Sequence, residues 1–274
     1  MTNRDFNRII WARYRKEGRH ALAWRRTTDP YAILVSEIML QQTQVSRAEG
    51  YYEKFLKRFP DVRFLAKAST ADVLTTWQGL GYNRRAMFLK KTAQILLEKY
   101  AGKLPVDREA LELLPGIGKG TSGSLMAFAF NKPEIFIETN IRRVLIHFFF
   151  KNRKMVTDKE LERYIEGAID KKRPREWYWA LMDYGASMKA SNDPKKFINP
   201  NRRSAHYTKQ SSFAGSDREL RGKFLTIVLS KRKVSVAVLL KEVPIPKKRF
   251  EKVLAGLKKE GFIVMKHNNI CINI

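Results

Sequence analysis

The chain has a single cysteine, Cys271, in 274 residues. One thiol excludes an intrachain disulfide and any metal cluster that needs several cysteine ligands from the same chain. Acidic residues are scarce as well: 27 Asp and Glu stand against 54 Lys and Arg, for a formal net charge of +27. The excess is spread along the chain rather than gathered in a tail, so it belongs to folded surfaces, and the expected partner is a polyanion. No apolar run approaches the ~20 residues of a membrane-spanning helix, so no membrane association is expected. The opening MTNRDFNRIIWARYRKEGR lacks an uninterrupted apolar core. A secretory leader is therefore not expected, and a cytoplasmic, nucleoid-associated location is. Strand runs of sandwich type are also missing, which leaves a mainly α chain long enough for a large domain plus a small one.

What is present is organised around residues 107–143, DREALELLPGIGKGTSGSLMAFAFNKPEIFIETNIRR. A short helical pattern (Ala110, Leu111, Leu113, Leu114) breaks at Pro115-Gly116-Ile117-Gly118 and resumes as a small-residue helix from Thr121 to Phe130. That is a helix-hairpin-helix. Its glycines allow a tight turn, and the backbone N–H groups of Gly116, Gly118, Lys119 and Gly120, with the positive end of the second helix, can seat one DNA phosphate. Such a seat positions DNA without reading its sequence. A short strand-like piece, Ile135-Phe136-Ile137, then leads into Glu138-Thr139-Asn140, which opens another helix.

Upstream, Asp29-Pro30 is a good helix start, and the helix to about Leu40 is apolar on nearly every side except at Glu37. A carboxylate among Ala32, Leu34, Val35, Ile38 and Met39 is costly unless paired or functional, and burial should raise its pKa. The plain alternative is a Glu37 that caps a neighbouring helix or pairs with an arginine. Gln41, Gln42 and Thr43 end this helix with groups able to bond base edges. In WQGLGYNRRA, two glycines around Leu80 make a turn that can present Tyr82 to a base stack and Arg84 or Arg85 to phosphates. Tyr82 as an ordinary core aromatic is the competing view. A phosphate seat, two carboxylates and a polar wedge together suggest chemistry on a nucleotide taken out of a duplex.

SEIMLQQTQV, WQGLGYNRRA, LPGIGKGTSG and ETN before an Arg-rich helix resemble the helix-hairpin-helix DNA glycosylases, and among them the MutY-type adenine glycosylases, over roughly residues 7 to 210. The resemblance implies a two-lobed glycosylase domain over 1–210, with a helical-barrel lobe at about 30–137 and a second lobe from both flanks. It implies Glu37 as the acid that protonates the departing base, a carboxylate at Glu138 where the family has aspartate, and Asn140 as its orienting partner. Bifunctional relatives such as endonuclease III carry a nucleophilic lysine where this chain has Gly120, so a monofunctional hydrolase is expected. Related enzymes often carry a four-cysteine iron–sulfur loop near 189–207. This chain has no cysteine there, so no cluster is expected; a monovalent cation at the hairpin is the one cofactor left open.

Residues 46–59, 69–77, 84–99, 141–150, 158–169 and 177–188 read as further helices, and 189–216 as a linker. Residues 211–274 read as a small winged helix-turn-helix-like α+β domain. It has three helices, two strands flanking an Asn268-Asn269 turn, and a basic third helix with Lys247, Lys248 and Arg249 facing DNA. The expected partner is double-stranded DNA with a mispaired or damaged base, engaged by a monomer. Three activities compete: excision of adenine opposite 8-oxoguanine or guanine; excision of thymine or uracil opposite guanine, or of another damaged base; and a non-catalytic DNA clamp, which would not need Glu37 or Glu138.

Overall fold

The computed structural model describes residues 1–190, 198–208 and 212–273, with the side chains of residues 189 and 190 left aside. It falls into two compact units, Met1–Glu37 with Leu104–Lys209, and Ile38–Lys103 with Gln210–Ile274.

In chain order, the first unit opens with α1 (Asn3–Glu17), whose N-cap Thr2 accepts from the Asp5 N–H and whose Phe6, Ile10 and Tyr14 share one buried face. Helix α2 (Pro30–Leu40) follows; Asp29 accepts from the N–H groups of Tyr31 and Ala32 at 3.1 and 3.2 Å, the N-cap its Asp-Pro start predicts. The boundary between units falls after Glu37, inside this helix.

The second unit contributes α3 (Val45–Arg58), α4 (Val62–Lys67), α5 (Thr70–Trp77) and α6 (Arg84–Lys99). Helix α4 was not expected from the sequence. It spans less than two turns, too short for a hydrophobic period to register, and rests on Asp61, which caps the N–H groups of Arg63 and Phe64.

The chain then returns to the first unit with α7 (Arg108–Glu112), α8 (Lys119–Phe128), α9 (Thr139–Phe149), α10 (Asp158–Ala168) and α11 (Pro174–Ala190). Its core is rich in aromatics: Phe136 lies 4.2 Å from Tyr178 between ring centroids, and Trp177 Nε1 donates to Asn7 Oδ1 at 2.8 Å. Ile135–Ile137 forms no strand. The segment pairs with no strand; it buries Phe136 and carries the chain into α9.

The stretch expected as a linker is partly built. A 3₁₀ turn at Pro200–Arg203 buries Pro200 and Asn201, Asn201 Nδ2 donates to the Thr139 carbonyl, and Ser204 bridges Val156. Backbone bonds between Val156 and residues 203 and 205, with the Asn201 side chain on the first residue of α9, hold these residues against the unit despite their polar composition. Residues 191–197, where much of the absent cluster loop was expected, lie outside the described residues, as does the boundary expected at 210 and 211.

The remainder of the second unit is α12 (Asp217–Lys231), β1 (Lys233–Ser235), α13 (Val236–Glu242), α14 (Lys247–Lys259), β2 (Ile263–Lys266) and β3 (Asn269–Ile272). The strands form an antiparallel sheet in the order β1-β3-β2, with Val234 opposite Ile270 and Val264 opposite Cys271. Strand β1, three residues long, was not foreseen, and the hairpin turn is one residue earlier than expected. His267 and Asn268 take positive φ of 47° and 59°, the geometry of a two-residue turn matched to strand twist, which leaves Asn269 in the strand. Within this unit Arg84 and Arg221 both pair with Glu260, and Gln78 bonds Thr226, so residues 217–274 are tied to the α5–α6 segment.

Candidate active site

Glu37 lies in the second half of α2 and keeps a small exposed area. Ser124 of α8 donates to its Oε2 at 2.5 Å. Burial lifts the carboxyl from its ordinary 4.5 to about 7; the Ser124 bond pulls it down, the charge of Glu138 pushes it further up and Arg25 pulls it down. An acid in that range holds a proton for part of the time at neutral pH and can give it up, the property a general acid needs. The expectation that burial perturbs Glu37 is met. The alternative, a cap or an arginine pair, is not its hydrogen-bonding state.

Glu138 is the N-cap of α9. Its Oε1 accepts from the N–H groups of Asn140 and Ile141 at 2.7 and 2.9 Å, and its Oε2 lies 3.4 Å from Asn140 Nδ2. The extra methylene relative to aspartate is thus accommodated with one oxygen committed to the helix end and the other less firmly held. Burial raises its pKa, while the two N–H bonds and the charges of Arg143 and Arg142 oppose the rise. Asn140 is fixed in turn: Arg143 Nη1 donates to its Oδ1 at 2.8 Å and to the Gly185 carbonyl at 2.6 Å. A Cβ on Gly185 would sit 2.5 Å from the Asn140 carbonyl oxygen, so only glycine lets α11 approach the start of α9 this closely.

Arg25, whose charge reaches Glu37, is buried and doubly bonded to Asp183 of α11 at 2.7 and 2.9 Å. With Trp11, Tyr14, His20 and Trp179 it lines a cleft of about 350 Å³ in the same unit.

The hairpin joins α7 to α8. Asp107 caps α7, Ile117 is buried, and Gly116 takes a φ of 80° that a side chain would resist. Gly118 is extended rather than left-handed and serves as the N-cap of α8 without a side chain; a Cβ there would meet nothing within 4 Å. Gly118, Lys119 and Gly120 are exposed together at the start of α8, which begins two residues earlier than the pattern predicts. The fold itself therefore does not require glycine at 118.

The other predicted residues belong to the second unit. Gln42 is exposed with φ 56°, and Gln41 and Thr43 are partly exposed beside it at the end of α2. Arg85 overturns one expectation. Its guanidinium is buried and donates to the carbonyls of Ile38, Met39 and Gln41, to Thr43 Oγ1 and to the Gly81 carbonyl. Burial pulls it down to about 10, and it remains a cation. It satisfies the orphan carbonyls at the C-terminal end of α2 and is not offered to phosphates. Arg84 is exposed but paired with Glu260. Tyr82, at φ 48°, has the guanidinium carbons of Arg85 and Arg218 over its ring at 5.4 and 5.6 Å, and Arg218 donates to its hydroxyl. On α14, Lys247 and Lys248 are exposed, whereas Arg249 is turned to Asp217 and the Gly215 carbonyl.

Residues 35–171 match the HhH-GPD superfamily of base excision DNA repair proteins. The chain belongs to this superfamily. An adenine DNA glycosylase of Buchnera aphidicola subsp. Baizongia pistaciae is 38% identical over 204 residues, which cover 73% of this chain and 57% of that protein. The HhH-GPD chain therefore spans a little over half of that relative's length. A thymine/uracil-DNA glycosylase of Pyrobaculum aerophilum is 32% identical over 198 residues, 70% of this chain and 85% of that protein. The solved structure of a thermostable thymine-DNA glycosylase aligns with a TM-score of 0.64 and 28% identity, covering 71% of this chain and 89% of that one. The mainly helical fold is thus that of the HhH DNA glycosylases, and the chain carries a small three-stranded C-terminal sheet besides. The one cysteine of the sequence, Cys271, lies in β3. Among the described residues no helix is long and apolar enough to cross a membrane.

Sequence reasoning missed Ser124, Arg143 and the Arg25–Asp183 pair. A small hydroxyl in a small-residue helix carries no local signal, and a basic residue on a chain of net charge +27 reads first as surface charge.

Proposed function

We propose that the protein is a monofunctional DNA glycosylase of base excision repair, which flips adenine mispaired with 8-oxoguanine or guanine and hydrolyses its N-glycosidic bond to leave an abasic site. The observation that carries this reading is a pair of carboxyls both raised by desolvation, Glu37 pushed to about 7 and Glu138 bonded to two backbone N–H groups, within an HhH-GPD chain. Protonated Glu37 gives its proton to the leaving base, and the bonding pair departs with it. The sugar becomes an oxocarbenium-like cation, which the Glu138 carboxylate stabilises, with Asn140 orienting that carboxylate. Water adds to the sugar carbon and its proton returns to Glu37. Gly120 offers no amine where bifunctional relatives have a lysine, so no Schiff base forms there.

Gly118, Lys119 and Gly120 seat a phosphate; a glycine with no internal reason for being one suits the approach of a ligand backbone. Gln41, Gln42, Thr43 and Tyr82 act at the base stack, and Lys247 and Lys248 contact phosphates through a winged-helix-like module. Two thymine-directed relatives favour a second reading, excision of thymine or uracil opposite guanine. Duplexes carrying each mispair, treated with and without alkali, separate the two. Alkali-dependent cleavage at adenine, with no borohydride-trapped cross-link, supports the first; cleavage confined to thymine or uracil supports the second; and tight binding without cleavage of any duplex leaves a clamp.

A further inference from the structure

Ser124 is almost wholly buried, at 4% exposure, in the second turn of α8. Its Oγ has two acceptors in reach, Glu37 Oε2 at 2.5 Å and the Thr121 carbonyl at 3.0 Å. A hydroxyl has one proton and can donate to only one of them at a time, but it can also accept. The bond to Thr121 is the back-bond that a helical serine makes by default. The bond to Glu37 is additional, and it reaches the group assigned the acid's role.

We propose that Ser124 is the positioning residue of the Glu37 acid, a hydroxyl that reverses its hydrogen bond as Glu37 loses and regains its proton. The proposal rests on the glycosylase reading above. When Glu37 is ionised, Ser124 donates to Oε2. When Glu37 is protonated, its O–H donates to Ser124 Oγ, and the serine turns its own proton to the Thr121 carbonyl. The carboxyl therefore keeps one partner in one place through both halves of the cycle. Protons balance without Ser124: the acid's proton leaves on the base, water supplies its replacement, and the serine ends with the hydrogen it began with.

The charges facing Glu37 do not duplicate this arrangement. Glu138, from the start of α9, disfavours ionisation, and Arg25, from the 3₁₀ turn Ala23–Arg25, favours it while pinned by Asp183. Neither charged group is bonded to Glu37 and neither can reverse a bond with it. Ser122, two residues before Ser124 and fully buried, bonds Glu112 and the Lys119 carbonyl instead, which makes it an internal control on the same helix.

The test is a direct titration of Glu37 by carboxyl-¹³C NMR, assigned with Glu37→Gln, in the wild type, Ser124→Ala and Ser122→Ala. Loss of the donor to the ionised form should raise the Glu37 midpoint in Ser124→Ala by about one unit. Ser122→Ala should leave it in place. The alkaline limb of the single-turnover rate should move with the midpoint, and the plateau should fall about tenfold as the acid loses its fixed orientation. A Ser124→Ala titration that overlays the wild type overturns the proposal. Because the titration needs no substrate, it reads the Ser124 bond even if the wild type cleaves no duplex, an outcome that would sink only the glycosylase reading.

Discussion

Nη1 of Arg85 lies 2.8 Å from the carbonyl oxygen of Met39, the residue two positions beyond Glu37 on α2. The same guanidinium takes up the carbonyls of Ile38 and Gln41, so a side chain expected at the DNA surface instead closes the helix that carries the candidate acid. Removing it leaves several buried carbonyls short of a donor, and Arg85→Ala should cost about 2–4 kcal/mol in denaturant unfolding. Arg85→Lys should recover only part, since one ammonium cannot reproduce a planar fork. A variant with unchanged midpoint and slope would show that the carbonyls find other partners.

Glu37 links the candidate activity to stability. Its folded pKa of about 7 is above the ordinary 4.5, so folding favours the protonated form. That contribution is fully present below about pH 4.5 and is lost as pH rises through about 7. The 2.5-unit difference corresponds to on the order of 3 kcal/mol, reduced by the remaining exposure of the carboxyl. Glu37→Gln should therefore match the wild type near pH 4 and exceed it in stability at pH 8. Parallel stability curves for the two proteins across this range would contradict the assignment.

At Glu138 the cap and the proposed chemistry can be separated. Glu138→Ala should lose about 1 kcal/mol of stability as α9 loses its N-cap, together with at least a hundredfold in rate. Aspartate caps as well as glutamate can, so Glu138→Asp should retain stability and stay within tenfold of the wild-type rate. A Glu138→Ala variant with wild-type turnover would remove this residue from the mechanism.

The basic face of α14 makes a salt-dependence prediction. If Lys247 and Lys248 each neutralise one phosphate, replacing both by alanine should lower the slope of log affinity against log salt by about 2. Arg249, tied to Asp217, should behave differently, with Arg249→Ala changing stability more than the slope. An unaltered slope in the double variant would mean that this helix faces solvent.

The contrast between Arg85 and Lys247 marks how far the sequence could be read. Capping residues, apolar periods and glycine breaks located nearly every helix, because each is a local preference written in adjacent residues, as with Asp29 before α2 and Gly116 in the hairpin. Glu37 was legible for the same reason, being a charge inside an apolar run. Ser124, Arg143 and the burial of Arg85 depend on which segments meet in three dimensions, and no local pattern records that. The short elements α4 and β1 fall below the length at which a period can be recognised, and Ile135–Ile137 has the composition of a strand without a partner strand.

The most direct test of the central claim is single-turnover hydrolysis of a duplex containing adenine opposite 8-oxoguanine, by the wild type and by Glu37→Gln, with abasic sites revealed by alkali. The account predicts alkali-dependent cleavage by the wild type and a loss of at least a thousandfold in the variant, with duplex binding retained. Equal rates for the two proteins, or cleavage that does not require alkali, would contradict it.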